Sequence, residues 1–265
     1  MLRSVKELSG LNILANDGEI GNVYEFYFDD QNWTIRYLVV KTGNWLSNKQ
    51  VLISPAAIGK PEWDKKRLPV NLTKEQIENS PDISTDKPVS RQNEIDLVNY
   101  YNWPMYWDFE MGMAVTPGAA YLTQKPLIEQ MNNPDTPSGK EKEQDEKKQE
   151  EKKGDPHLRS SREVNTYKIQ STDREIGYLK DFIVDDNTWI IRYIVVDTGS
   201  WISSGRKVLV SPHWIEKINW NESKVHIALS SDSIKNSPEY NPSETLGREY
   251  EEILYEHYGL PKYWL

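Results

Sequence analysis

Two pairs of adjacent carboxylates, Asp29-Asp30 and Asp185-Asp186, are the residues whose type and spacing first invite a chemical reading. Paired acids can bind calcium or share general acid–base work. Calcium takes six or more oxygens, in loop sites from a twelve-residue run ending in glutamate. Neither pair begins such a run. Acid–base catalysis needs carboxylates set around a cleft, and the flanking residues suggest none. Both pairs therefore read as solvated turns. The histidines, His157, His213, His226 and His257, lack the close pairing of a zinc site. The absence of cysteine excludes disulfides, thiol nucleophiles and thiolate-held metals. Ser54-Pro55 and Ser211-Pro212 are turns, not a G-x-S-x-G nucleophile elbow. Gly10, Gly18 and Gly21 do not make a dinucleotide fingerprint. The expectation is a protein that is not an enzyme, with no catalytic residue, cofactor or metal site.

What remains is aromatic. Tyrosine (15) and tryptophan (10) far outnumber phenylalanine (4), a bias toward rings with one wet edge. The candidate interaction surface comprises Trp33, Trp45, Trp63, Trp189, Trp201 and Trp220, with the tail residues Tyr106, Trp107, Tyr263 and Trp264. For the tails, packing on their own unit or its sister is the main expectation. Arg36 and Arg192 lie mid-strand, and cross-strand ion pairs with Glu25 and Asp181 are expected there.

The elements that hold these residues come in duplicate. Residues 17–47, DGEIGNVYEFYFDDQNWTIRYLVVKTGNWLS, match residues 173–203, DREIGYLKDFIVDDNTWIIRYIVVDTGSWIS. The match begins at Leu2-Arg3-Ser4 against Leu158-Arg159-Ser160 and reaches Tyr106-Trp107 against Tyr263-Trp264. It implies duplication, with both copies folding alike. The expected organisation is unit one over 1–108, a flexible charged linker over 109–157 and unit two over 158–265. Residues 140–153 hold only lysine, glutamine and acids, and such a run has nothing to bury against its ordering entropy.

Within each unit, alternating apolar residues predict a hairpin turning at Asp29–Asn32 or Asp185–Thr188. Gly21 and Gly177 mark a bend or close backbone approach in the first strand. Further short strands are expected at 50–53, around Trp63 and at 67–72, with one helical turn at 56–58. Thr73 to Gln76 has capping-box spacing, which Ser230 to Ser233 lacks. A closing helix is predicted over 90–101 and 246–258, the latter burying Tyr250, Ile253, Leu254 and Tyr258. Asn102 and Gly259 stand at the matching left-handed caps. The fold class is mainly β: two tandem small antiparallel barrels, filled by side chains, each followed by short helices.

The doubled pattern E-I-G-x-x-x-[DE]-F, W-x-I-R-Y-[LI]-V-V-x-T-G and V-L-[IV]-S-P resembles the PRC-barrel family over residues 11–80 and 167–237. Such domains resemble the cytoplasmic domain of the photosynthetic reaction centre H subunit and the C-terminal domain of the ribosome maturation protein RimM. The resemblance implies a small barrel used for docking, with no shared catalytic centre. A net charge of −9 without a basic stripe argues against nucleic-acid binding. No apolar run is long enough for a membrane span, and a cytoplasmic location is expected. The function expected is protein–protein interaction or adaptor work, toward an unidentified protein partner or by self-association of the two barrels. The alternatives are a ribosome or RNA-associated accessory protein, with a basic patch at Lys65-Lys66-Arg67, and a peripheral membrane-complex assembly factor.

Overall fold

A computed structural model describes residues 1–47, 49–81, 89, 91–106, 157–199 and 205–264. The predicted linker, apart from His157, lies outside them. Met1–Ile77 and His157–Leu265 form one compact unit, and Glu78–Pro156 forms another.

The larger unit holds two sheets of the same plan. In the first copy β1 (Leu2–Ser4) and helix α1 (Val5–Leu8) precede β2 (Asn12–Ala15), β3 (Gly18–Asp29), β4 (Thr34–Thr42), β5 (Gln50–Ile53) and β6 (Arg67–Pro69). Helix α2 (Lys74–Glu78) follows them, and α3 (Arg91–Tyr101) belongs to the smaller unit. In the second copy β7 (Leu158–Ser160) and α4 (Ser161–Val164) precede β8 (Lys168–Gln170), β9 (Glu175–Asp185), β10 (Ile191–Asp197) and β11 (Lys207–Val210). Then come β12 (Ile215–Asn219), β13 (Lys224–Ile227), α5 (Ser231–Lys235) and α6 (Arg248–Tyr258). The sheets run β5-β4-β3-β2-β6 and β11-β10-β9-β8-β13-β12. Pairing is antiparallel except for β2 with β6 and β8 with β13, which are parallel. Each sheet is barrel-like, and its end strands are not paired with one another among the described residues.

The sheets exchange their leading strands. β1 pairs not with β3 of its own copy but with the end of β9, Leu2 opposite Asp185 and Ser4 opposite Ile183. β7 pairs in turn with the end of β3, Leu158 opposite Asp29 and Ser160 opposite Tyr27. The hairpin tips also meet, through Ile35 N–H to the Trp189 carbonyl (2.8 Å) and Ile191 N–H to the Trp33 carbonyl (2.7 Å). Phe28 and Phe182 touch across this contact, ring centroids 5.3 Å apart. The two copies thus form an internal dimer with an approximate two-fold relation.

The central strands are buried on both faces, Tyr37 to Val40 in one copy and Tyr193 to Val196 in the other. Phe26, Phe28, Tyr37 and Leu38 are buried in the first copy, and Phe182, Tyr193, Ile194 and Leu209 in the second. Each such side chain contributes about 1.5–3 kcal/mol. Gly21 and Gly177 are required by close approach: a Cβ on either would sit 1.9 Å from the carbonyl oxygen of Lys41 or Asp197. The capping box forms: Gln76 N–H donates to Thr73 Oγ1 (3.2 Å) and Thr73 N–H to Gln76 Oε1 (2.9 Å). At α5 only the Ser233 N–H to Ser230 Oγ half forms (3.2 Å); the first N–H of each helix goes to an aspartate, Ser231 N–H to Asp173 (2.7 Å) and Lys74 N–H to Asp17 (2.9 Å).

Three local expectations differ from the structure. Trp63 starts a 3-10 turn over Trp63–Lys65 instead of a strand. Helix α6 buries Glu251, Leu254 and Tyr255, leaving Ile253 51% exposed. The buried stripe is rotated because it includes a carboxylate, which hydropathy assigns to solvent. The 56–58 turn is displaced by one residue, to Pro55–Ala57.

Candidate functional site

The strand exchange is held by a duplicated set of polar contacts. Ser4 caps α1, accepting from the Lys6 and Glu7 amides (3.1 and 3.4 Å), and its hydroxyl donates to the Asp181 carboxylate. Ser160 caps α4, accepting from the Glu163 amide (3.3 Å), and donates to the Glu25 carboxylate. All four side chains are buried, where a lost partner costs about 1–3 kcal/mol. Glu25 and Asp181 therefore serve these serines, not the arginines expected.

The arginines are redirected by β-bulges. Register slips between Tyr27 and Phe28 leave Arg36 as the extra residue of β4, and between Ile191 and Tyr193 leave Arg192 as that of β10. An extra residue of this kind re-aims its side chain. Arg36 reaches Asp29 at 2.8 Å, whereas Arg192 is 3.8 Å from Asp185. Burial raises the Asp29 carboxyl, but Arg36, the Asn32 amide and the Gln31 N–H outweigh it and hold the pKa below its ordinary 3.8. The acid pairs are not solvated turns. Asp29 is buried, and Asp30 accepts from Arg159 Nε (2.9 Å) and lies 2.9 Å from His157 Nδ1. Asp186 accepts from the Met1 ammonium (2.5 Å) and lies 3.6 Å from Arg3 Nε. Each second aspartate is a post for the incoming strand of the other copy.

The aromatic candidates divide by place. Trp33 and Trp189 occupy left-handed turn positions (φ 51° and 59°) at the meeting hairpin tips. Trp33 stacks on Phe28 at 5.6 Å, and Trp189 lies 6.5 Å from Phe26. Trp63 carries the Arg3 guanidinium at 4.3 Å, and Trp220 carries that of Arg159 at 4.0 Å. Four of the tryptophans thus line the exchange. Trp45 stands apart, 36% exposed, donating from Nε1 to the Ile20 carbonyl (2.6 Å). Tyr263 donates to Glu251 (2.8 Å), which also accepts from Tyr193 (2.7 Å), and Trp264 packs edge-on to Tyr255 at 4.9 Å. In the smaller unit Tyr106 donates to Glu94 (2.7 Å). Trp107 and Trp201 lie outside the described residues.

One groove gathers what the candidate set left scattered. About 470 Å³ in volume, it runs between the first hairpin tip, at Asn32 and Trp33, and the second sheet, at Arg192, Pro212, His213 and Tyr263. Arg192 sits 4.5 Å over the Tyr263 ring, and its buried Nε has no hydrogen-bond partner among the described residues. Sequence spacing gives Arg192 an ion pair with Asp181 and assigns His213 no partner. Only the bulge and the meeting of the copies bring them to one groove.

Two duplicated, barrel-like sheets with a shared polar latch define a tandem β-domain protein. The family model described as PRC-barrel domain matches residues 2–77 and 157–233, one segment for each copy. The chain belongs to the PRC-barrel family. Its domains are general protein-interaction modules and generally non-catalytic. Among curated proteins no sequence matches the chain. No helix among the described residues is long and apolar enough to cross a membrane.

Proposed function

We propose that the protein is a non-enzymatic adaptor in which two PRC units, locked by strand exchange, present the Trp33–Arg192–Tyr263 groove to a partner protein in the cytoplasm. The observation that supports this most is Arg192 set on the Tyr263 ring in the wall of the groove. An arginine fork set on a ring suits a planar carboxylate. An extended, acidic segment of a partner fits that chemistry, its apolar side chains meeting Trp33, Pro212 and Ile215. The basic run favours RNA less, since Lys65 pairs with Glu62 (3.1 Å) and Arg67 with Glu19 (3.5 Å).

The test is capture from source cells on the full chain, after nuclease treatment, with wild type against Arg192→Met. The expected result is one defined protein held by wild type and lost by the variant, with unchanged circular dichroism. Equal retention by both, or recovery of RNA alone, would overturn the reading.

A further inference from the structure

We propose that the pocket between the exchanged N-terminal segment and the second sheet, lined by Lys6, Lys180, Lys207 and Tyr240, binds a phosphate dianion, free or carried on a small organic body. The pocket measures about 260 Å³, below the usual span for drug-sized ligands. It exists because of the exchange: Ser4, Lys6 and Glu7 come from the first copy, while Lys180, Asp181 and Lys207 come from β9 and β11 of the second.

A bulge prepares the site. Val195 pairs with Asp181 and Val196 with Leu179, so Lys180 is the extra residue of β9 and shares the pocket with its neighbour Asp181. None of the three lysines forms an ion pair among the described residues. Tyr240 is 7% exposed, its amide is fixed to the Lys207 carbonyl (2.7 Å), and its hydroxyl has no hydrogen-bond partner there. Burial first, then the charges of Asp181 and Glu7, push that hydroxyl up to about 12, so it remains a neutral donor. Two carboxylates oppose an anion. Glu7 is exposed, and Asp181 is already engaged by Ser4 Oγ, by Lys6 N–H (3.2 Å) and by Phe182 N–H (2.8 Å). Three lysines and a phenol donor thus line one pocket, with Lys180 Nζ resting 5.5 Å over the Tyr178 ring beside it, and their ammonium groups can turn to an anion in the point-charge mode by which lysine holds phosphate.

The first copy does not repeat the lysines of β9 and β11. Tyr24 and Gln50 stand where Lys180 and Lys207 stand. Arg162, the counterpart of Lys6, instead lies 4.2 Å over the Tyr24 ring. The duplicates have diverged at the positions that would bind the anion, so one site per chain is expected.

The test titrates the full chain, in chloride buffer, with inorganic phosphate and separately with glycerol phosphate, by calorimetry and phosphorus NMR. Wild type should saturate at one site, in the millimolar range or tighter. The double variant Lys180→Tyr, Lys207→Gln carries the first copy's residues and should bind at least about tenfold more weakly. Tyr240→Phe should also bind more weakly, and Lys235→Gln should match wild type. Bound phosphate should slow amide exchange over residues 4–8, because Lys6 is part of the site. Tighter binding of the inorganic ion would identify free phosphate, and the reverse a phosphomonoester. No saturable binding by wild type, equal binding by the double variant, or unaltered exchange at residues 4–8 would overturn the site.

Discussion

At the scale of single residues, carboxylates that look interchangeable in sequence perform opposed tasks. Asp29 is held below the ordinary carboxylate value by its donors. Burial raises Asp181 above that value, against the opposing pull of Ser4, Phe182 and Lys6. The unfolded chain takes up protons first at Asp29, so its contribution, present above pH about 3.8, is lost as pH falls through its native pKa. At Asp181 the native state takes up protons first, so stability falls as pH rises from 3.8 through the raised value. Urea unfolding from pH 2.5 to 7 checks both signs: Asp29→Asn should flatten the acid limb, and Asp181→Asn the decline on its alkaline side. Ser160→Val should cost about 1–3 kcal/mol by stranding the buried Glu25 carboxylate, read as a lower denaturation midpoint at unchanged slope. Residue types and turn positions could be read from sequence here. Partners could not, because the register sets Glu25 opposite Val39, where Ser160 of the other copy takes it, while a bulge leaves Arg36 to reach Asp29.

At the scale of elements, backbone demands were the most legible part of the chain. Gly21 and Gly177 stand in long strands where a carbonyl approaches too closely for any Cβ. Gly177→Ala should therefore destabilise the protein by about 3 kcal/mol, a fall in melting temperature of about 6–12 °C. Asn102 and Gly259 hold the left-handed caps that their types suggest, with φ 54° and 63°. The buried stripe of α6 departs from its hydropathy pattern because Glu251, an acid, faces inward to meet Tyr193 and Tyr263. Removal of residues 259–265 withdraws Tyr263 from that carboxylate and Trp264 from Tyr255. The expected cost is about 2–4 kcal/mol, and an unchanged melting profile would show that the tail does not stabilise the fold.

At the scale of the whole molecule, duplication was plain from sequence, and the exchange was not. Leu2-Arg3-Ser4 and Leu158-Arg159-Ser160 are the same tripeptide, so no residue states which sheet each should join. The acceptors are duplicated too, Asp186 with Asp181 in one copy and Asp30 with Glu25 in the other, so they hold the exchanged strand without selecting it. A protease site inserted between residues 107 and 156 should yield two fragments that still co-elute on gel filtration and part only in denaturant. Separation in plain buffer would show that the exchanged strands do not hold the copies together. The same exchange sets an order on synthesis. As the chain leaves the ribosome, the first sheet emerges with the far end of β3 uncovered, since β7 lies more than a hundred residues downstream. That open edge waits for its partner strand, and for this interval the nascent protein is most exposed to pairing with a neighbour on the same message.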